Sequence, residues 1–134
     1  MTSGVIFGFD YGTHHIGLAV GQGVTQTASP LTILPAKQGI PNWDTLSKLV
    51  LEWSPDRFIV GLPINMDETD SPMSARAIKF ARRLSGRFDR PYEMIDERLS
   101  SVEARALSSK ARVDDLSAVL ILETWFQNQI PVSP

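Results

Sequence analysis

Three acidic residues stand at points where the chain changes direction. Asp10 closes the apolar run Val5-Ile6-Phe7-Gly8-Phe9-Asp10 and is followed at once by Tyr11-Gly12-Thr13. Glu97 ends the run Tyr92-Glu93-Met94-Ile95-Asp96-Glu97, and Asp114 opens the last apolar stretch. A carboxylate at a strand end, beside glycines that admit another molecule, suits a divalent cation better than a core. If the three converge, they make an all-oxygen site of the kind that binds Mg²⁺ and acts on phosphate. Plainer roles compete at each position. Asp and Gly are common turn residues, and either acid of Asp96-Glu97 or of Asp114-Asp115 can cap a helix. Alternation along a strand lets only one of Asp96 and Glu97 share the face of the site; Glu97 is favoured and Asp96 is the alternative. Asp114 or Asp115 is likewise the ligand at the third position.

Other polar groups surround these acids in sequence. Arg98 follows Glu97 directly and is placed to contact a phosphate or to balance the acids. Asn65, Asp67 and Thr69 follow Gly61-Leu62-Pro63, in a loop after a strand, where the crevice of an α/β sheet is lined. His14 and His15 share the first turn; exposed turn histidines are mostly neither ligands nor bases. Between Arg76 and Arg90 there are six basic residues, Arg76, Lys79, Arg82, Arg83, Arg87 and Arg90, against the single acid Asp89. Arg76, Lys79 and Arg83 are candidates for holding a nucleic-acid strand. On a chain of net charge −2 such a local basic face still tracks phosphates.

The elements that must position these groups follow from periodicity. Strands are expected at about 4–10, 16–20, 29–34, 57–62 and 92–97, with a loop at 35–42 where two prolines and a glycine occur. A helix capped by Asn42 or Asp44 buries Leu46, Leu49, Val50 and Trp53 and stops before Pro55. A second carries Met73, Ala77, Phe80, Ala81 and Leu84 on one face, with its basic residues largely off that face. A third is signalled at Ser100 or Ser101, with Glu103 placed for a capping box, and a fourth spans Leu116 to Phe126. Three strands in succession make an antiparallel meander, and the later strand–helix alternation makes parallel crossovers. The expected fold is α/β: a mixed five-stranded sheet with helices on its faces, formed by residues 1–134 as one domain.

Composition narrows the chemistry. The 134 residues are 43% apolar and 21% charged, as in an ordinary soluble domain. With no cysteine and two adjacent histidines, disulfides, thiolate metal sites and a zinc centre are ruled out or disfavoured. Neither a signal peptide nor a membrane-length apolar run is legible, so a cytoplasmic protein without membrane contact is expected.

Five ordered segments resemble the YqgF/RuvX family: Phe9-Asp10-Tyr11-Gly12-Thr13; Ile16-Gly17-Leu18-Ala19-Val20; Val60-Gly61-Leu62-Pro63-Ile64-Asn65-Met66-Asp67; Asp96-Glu97-Arg98-Leu99-Ser100-Ser101-Val102-Glu103-Ala104; and Val113-Asp114 before an apolar helix. The resemblance covers nearly the whole chain. It implies an RNase H-like fold related to the Holliday-junction resolvase RuvC and a nuclease that trims the 5′ end of precursor 16S ribosomal RNA. It also implies that Asp10, Glu97 and Asp114 are an acidic triad dependent on Mg²⁺ or Mn²⁺, in a two-metal site. Two ions bridged by Asp10, about 4 Å apart, would activate water and stabilise the leaving oxygen.

The chain departs from the family pattern in three places. Glu68 stands where a glycine is usual, His14 and His15 stand where Lys or Arg is frequent, and the segment from Glu103 to Asp114 is roughly ten residues short, by comparison with the usual basic Gly-rich loop. The same site would also cut branched DNA, as a Holliday junction resolvase, and a catalytically silent RNA-binding assembly factor is a third reading. An actin-like ATPase shares the Asp-x-Gly-Thr turn but needs a second domain to close over nucleotide. Oligomeric state, monomer or weak dimer, is open in the sequence.

Overall fold

The computed structural model describes residues 4–62, 72–96 and 113–128. The strands are β1 (Val5–Asp10), β2 (His15–Gln22), β3 (Thr27–Lys37), β4 (Ile40–Pro41), β5 (Arg57–Leu62) and β6 (Tyr92–Asp96). The helices are α1 (Trp43–Trp53), α2 (Pro72–Phe88) and α3 (Val113–Asn128). The helix expected from Ser100 or Ser101 lies outside the described residues, as does the polar loop expected at 63–72 except Pro72, which opens α2.

One sheet carries all the strands in the order β4-β3-β2-β1-β5-β6. β1, β2 and β3 form the antiparallel meander, and β1, β5 and β6 run parallel. The sheet has six strands, not the expected five. The extra one is β4, two residues long, inside the stretch that reads as a loop. Lys37 pairs with Ile40 across a two-residue turn in which Gln38 has φ 51° and Gly39 has φ 81°. Two consecutive positive φ values define the type I′ turn, which matches strand twist. The prolines that argued for a loop are tolerated because Pro35 lies on β3, unpaired on its outer side for most of its length, and Pro41 lies on the edge strand β4. β3 therefore extends beyond the 29–34 read from the sequence.

β1 lies at the centre of the sheet and is buried on both faces. Phe7 and Phe9 point to the side covered by α1 and α2, together with Phe58, Val60, Leu46, Val50, Ala77, Phe80 and Leu84. Phe9 meets Phe80 edge-on at 5.5 Å between ring centroids. Ile6 points to the other side, with Ala19, Ile59, Ile95 and the α3 residues Ala118, Ile121, Leu122 and Trp125. α3 can lie close because the strands beneath it carry small residues. A Cβ on Gly8 would come within 2.4 Å of Leu122 Cγ, and one on Gly21 within 3.0 Å of Phe126.

Local signals set the boundaries of α1. The Asn42 side chain accepts hydrogen bonds from the backbone N–H groups of Asp44 at 2.9 Å and Thr45 at 3.3 Å. Ser54, in the left-handed region at φ 48°, closes the helix by donating its N–H to the Val50 carbonyl. Replacing Asn42 by alanine leaves two first-turn donors without that partner. The expected loss is about 1 kcal/mol, read as a lower urea midpoint with an unchanged slope.

Candidate active site

The carboxyl ends of β1, β5 and β6 meet along one edge of the sheet, the place where ligands bind in open α/β folds. Asp10 is the last residue of β1, at this edge. Alternation from Ile6 through Gly8 puts Asp10 on the α3 face. Its partner across the ladder on β2 is Gly17. On β5 its neighbour is Gly61, one step beyond the Phe9–Val60 pair and on the face of Ile59. Asp10 thus projects between two residues without side chains. The gap to β6 is two strand spacings, about 10 Å, and only glycine intervenes at that level.

β6 fixes the face of the first of the two acids at its end. Tyr92 and Met94 pack on the α1–α2 side, whereas Ile95 packs against α3. Asp96 therefore falls on the α1–α2 side, away from Asp10. Glu97, Arg98 and Asn65 lie outside the described residues, as do Glu68 and the short segment before residue 113. Asp114 belongs to the first turn of α3, a helix that packs on the sheet through Ala118, Ile121 and Trp125. α3 runs antiparallel to β1, with Leu122 over Gly8, so its first turn reaches the edge where Asp10 stands. Among the described residues no three His, Asp or Glu side chains gather as a metal cluster.

The basic residues between Arg76 and Arg90, on α2 and just after it, differ in their surroundings. Arg76, Lys79, Arg82, Arg83 and Arg87 are exposed. Arg90 instead ties the chain down, donating from Nε to the Pro55 carbonyl at 2.8 Å and from its guanidinium to the Phe88 carbonyl. His14 and His15 are exposed near Asp10, and His14 Nδ1 lies 3.1 Å from Thr13 Oγ1. Sequence reasoning missed Tyr11. Its ring is buried against Phe80, and its hydroxyl donates to the Gly39 carbonyl at 3.2 Å. Burial raises its pKa above the usual phenol value, opposed in part by the positive charges of Arg76 and Arg83. The available signal was an aromatic residue next to the candidate ligand, ahead of a Gln-Gly turn.

A parallel–antiparallel sheet with a carboxylate at the end of its central strand and a helix antiparallel to that strand defines the RNase H-like class. Solved structures agree in fold. The chain superposes on Thermus thermophilus RuvC in complex with Holliday junction substrate with a TM-score of 0.60 at 15% identity, covering 94% of this chain and 96% of that one. The complex of Fowlpox virus resolvase with Holliday junction DNA gives a TM-score of 0.56 at 14% identity, covering 95% and 99%.

Within that class the chain belongs to the RuvX family, described as Holliday junction resolvase, whose pattern matches residues 4–128. A relative from Actinobacillus pleuropneumoniae serotype 7 (strain AP76) is 50% identical over 133 residues, spanning 92% of this chain and 97% of its own. One from Pectobacterium carotovorum subsp. carotovorum (strain PC1) is 51% identical over 138 residues, spanning 96% and 99%. Both carry the provisional name pre-16S rRNA nuclease. The 133 aligned positions exceed the matched part of this chain by about ten, so the Actinobacillus relative carries that many residues which this chain lacks.

Proposed function

We propose that the chain is a cytoplasmic, divalent-metal-dependent nuclease that hydrolyses phosphodiester bonds in the 5′-end processing of precursor 16S rRNA. Asp10, Glu97 and Asp114 are its acidic residues. The observation that carries this reading is the placement of Asp10: at the edge of the sheet, between Gly17 and Gly61, on the face covered by the helix that Asp114 opens. For the second acid, Asp96 sits on the opposite face, and period-two alternation favours its neighbour Glu97.

The donor set fits Mg²⁺ or Mn²⁺: carboxylate oxygens only, with a glycine on each strand flanking Asp10. Bound there, such ions supply Lewis acidity at phosphoryl oxygen and a water acidified enough to attack. The chain's own residues do the rest. Asp10 brings negative charge to a fixed point on a rigid strand, which holds an ion better than a loop does. Arg98 and Asn65 are proposed to contact the substrate, and the exposed cations Arg76, Lys79 and Arg83 to hold its phosphates. The RNA reading is preferred because relatives near 50% identity carry that name, while the junction-bound neighbours share only the fold. Branched DNA is the second reading, favoured by the description of the family itself.

Removal of divalent ions should separate these from a silent scaffold. Protein stripped with EDTA is expected to leave both a precursor rRNA fragment and a four-way DNA junction intact. Added Mn²⁺ or Mg²⁺ should restore cutting of the RNA. Cutting that persists in EDTA would contradict the metal requirement; restored cutting of the junction alone would make the chain a resolvase.

A further inference from the structure

Tyr11 follows Asp10 but faces the other way, into a cleft of about 160 Å³ on the α1–α2 side of the same edge. One wall is the β3–β4 turn, held by three hydrogen bonds. The Tyr11 hydroxyl donates to the Gly39 carbonyl, the Gly39 N–H to the Thr13 carbonyl at 2.9 Å, and the Ala36 N–H to the His14 carbonyl at 2.8 Å. Gly39 is required there twice over, by its φ of 81° and because a Cβ would lie 1.7 Å from the Tyr11 oxygen. The opposite wall is α2, with Arg76, Lys79 and Arg83 on one helical row. Trp43, half-buried, lies nearly parallel to Phe80 at 6.1 Å between centroids. A second hollow, lined by Trp43, Arg83, Gly86 and Arg87, continues the first along α2. The Arg87 guanidinium lies 4.6 Å from the centre of the Trp43 ring.

Among the described residues, four cations line this groove and no carboxylate does. An ordinary solvated helix face mixes both signs and has no aromatic floor. A groove for a protein partner would be more apolar at its centre and poorer in like charges. Cations along one wall with the half-buried Trp43 ring at the base match the recognition of an unpaired strand, whose phosphates meet the cations and whose exposed bases stack. We propose that the groove from Tyr11 to Arg87 holds unpaired nucleotides of the substrate strand, on the side of the sheet opposite Asp10. The strand then crosses the sheet edge at Asp10-Tyr11 and continues along α2. This rests on the reading of the chain as a nuclease, and it specifies which part of the substrate must be single-stranded.

The test is fluorescence anisotropy of a short labelled single-stranded RNA with the whole chain in EDTA, repeated over a range of salt. The double variant Arg76→Ala, Arg83→Ala is expected to bind at least about tenfold more weakly, and to lower the salt slope by about 1.4, two phosphate contacts' worth on a single strand. Trp43→Leu should weaken binding at least about fivefold. Arg82→Ala, on the same helix outside the groove, should change the affinity less than twofold. All three variants must keep the wild-type circular dichroism spectrum, and Arg76→Ala alone serves if the double variant does not. If the wild type binds the strand and the groove variants bind it equally well with the same slope, the groove proposal fails while the nuclease reading stands. Equal affinity for a blunt duplex, unaffected by Trp43→Leu, also overturns it. If the wild type binds no nucleic acid, the nuclease reading itself fails.

Discussion

Asp10→Asn should lower the rate of phosphodiester cleavage about a thousandfold or more while leaving strand affinity within a few-fold of wild type. The substitution keeps the shape of the side chain and removes its charge. If that carboxylate holds a divalent ion, the loss is several kcal/mol of transition-state stabilisation, and each 1.36 kcal/mol is a factor of ten in rate. On the proposed function the strand is held elsewhere, by Arg76, Lys79, Arg83 and Arg87 of α2, so binding should survive. A second consequence concerns stability. An ion that binds only the folded chain raises its melting temperature by mass action, and Asp10→Asn should abolish most of the shift produced by Mn²⁺. Single-turnover cleavage with saturating protein and a thermal melt with and without Mn²⁺ check the two effects. A variant with wild-type cleavage and a wild-type Mn²⁺ shift would remove Asp10 from the site.

The second large effect lies where α3 rests on the sheet. Leu122 is fully buried, directly over Gly8. Gly8→Ala places a methyl group 2.4 Å from Leu122 Cγ, so either the side chain or the helix must move. Overpacking of this kind costs about 1–3 kcal/mol. Leu122→Ala empties the same volume and should cost about 2–5 kcal/mol. The double variant puts the new methyl into the emptied space, so its loss should be clearly smaller than the sum of the two. Urea denaturation of the four proteins measures the coupling, and strict additivity would show that α3 does not rest on Gly8. The geometry also links packing to chemistry. Gly8 is two residues before Asp10 and Leu122 two turns after Asp114, so Gly8→Ala should lower cleavage by more than its stability loss explains.

Much of this was legible in the sequence, for identifiable reasons. β1 and β5 are short apolar runs ended by turn residues, and α1 and α2 keep an apolar face at helical spacing, so their positions followed from periodicity alone. The rule that one of Asp96 and Glu97 must face away was also available, but the face was not. It needed Ile95 seen against α3 and Met94 against the other side. β4 was hidden because two residues carry no period and its neighbours include prolines, which read as loop until the strand is known to lie at an edge. The role of Arg90 was hidden for a different reason: its partners are backbone carbonyls, which have no residue type to recognise. The groove was the least legible feature. Tyr11, the segment from Gln38 to Trp43 and Arg83 are far apart in the chain, and only the folded sheet brings them to one cleft.

The central claim is that positions 10, 97 and 114 share one divalent-metal site at the sheet edge. Fe²⁺ loaded in place of Mg²⁺, with ascorbate and peroxide, generates short-lived radicals that cut the polypeptide next to the ion, and the fragments are sized by mass spectrometry. The expected result is cutting clustered near residues 10, 61, 97 and 114, suppressed by excess Mg²⁺ and lost in Asp10→Asn. Cuts confined to one of these segments, or a pattern unchanged in Asp10→Asn, would contradict a shared site.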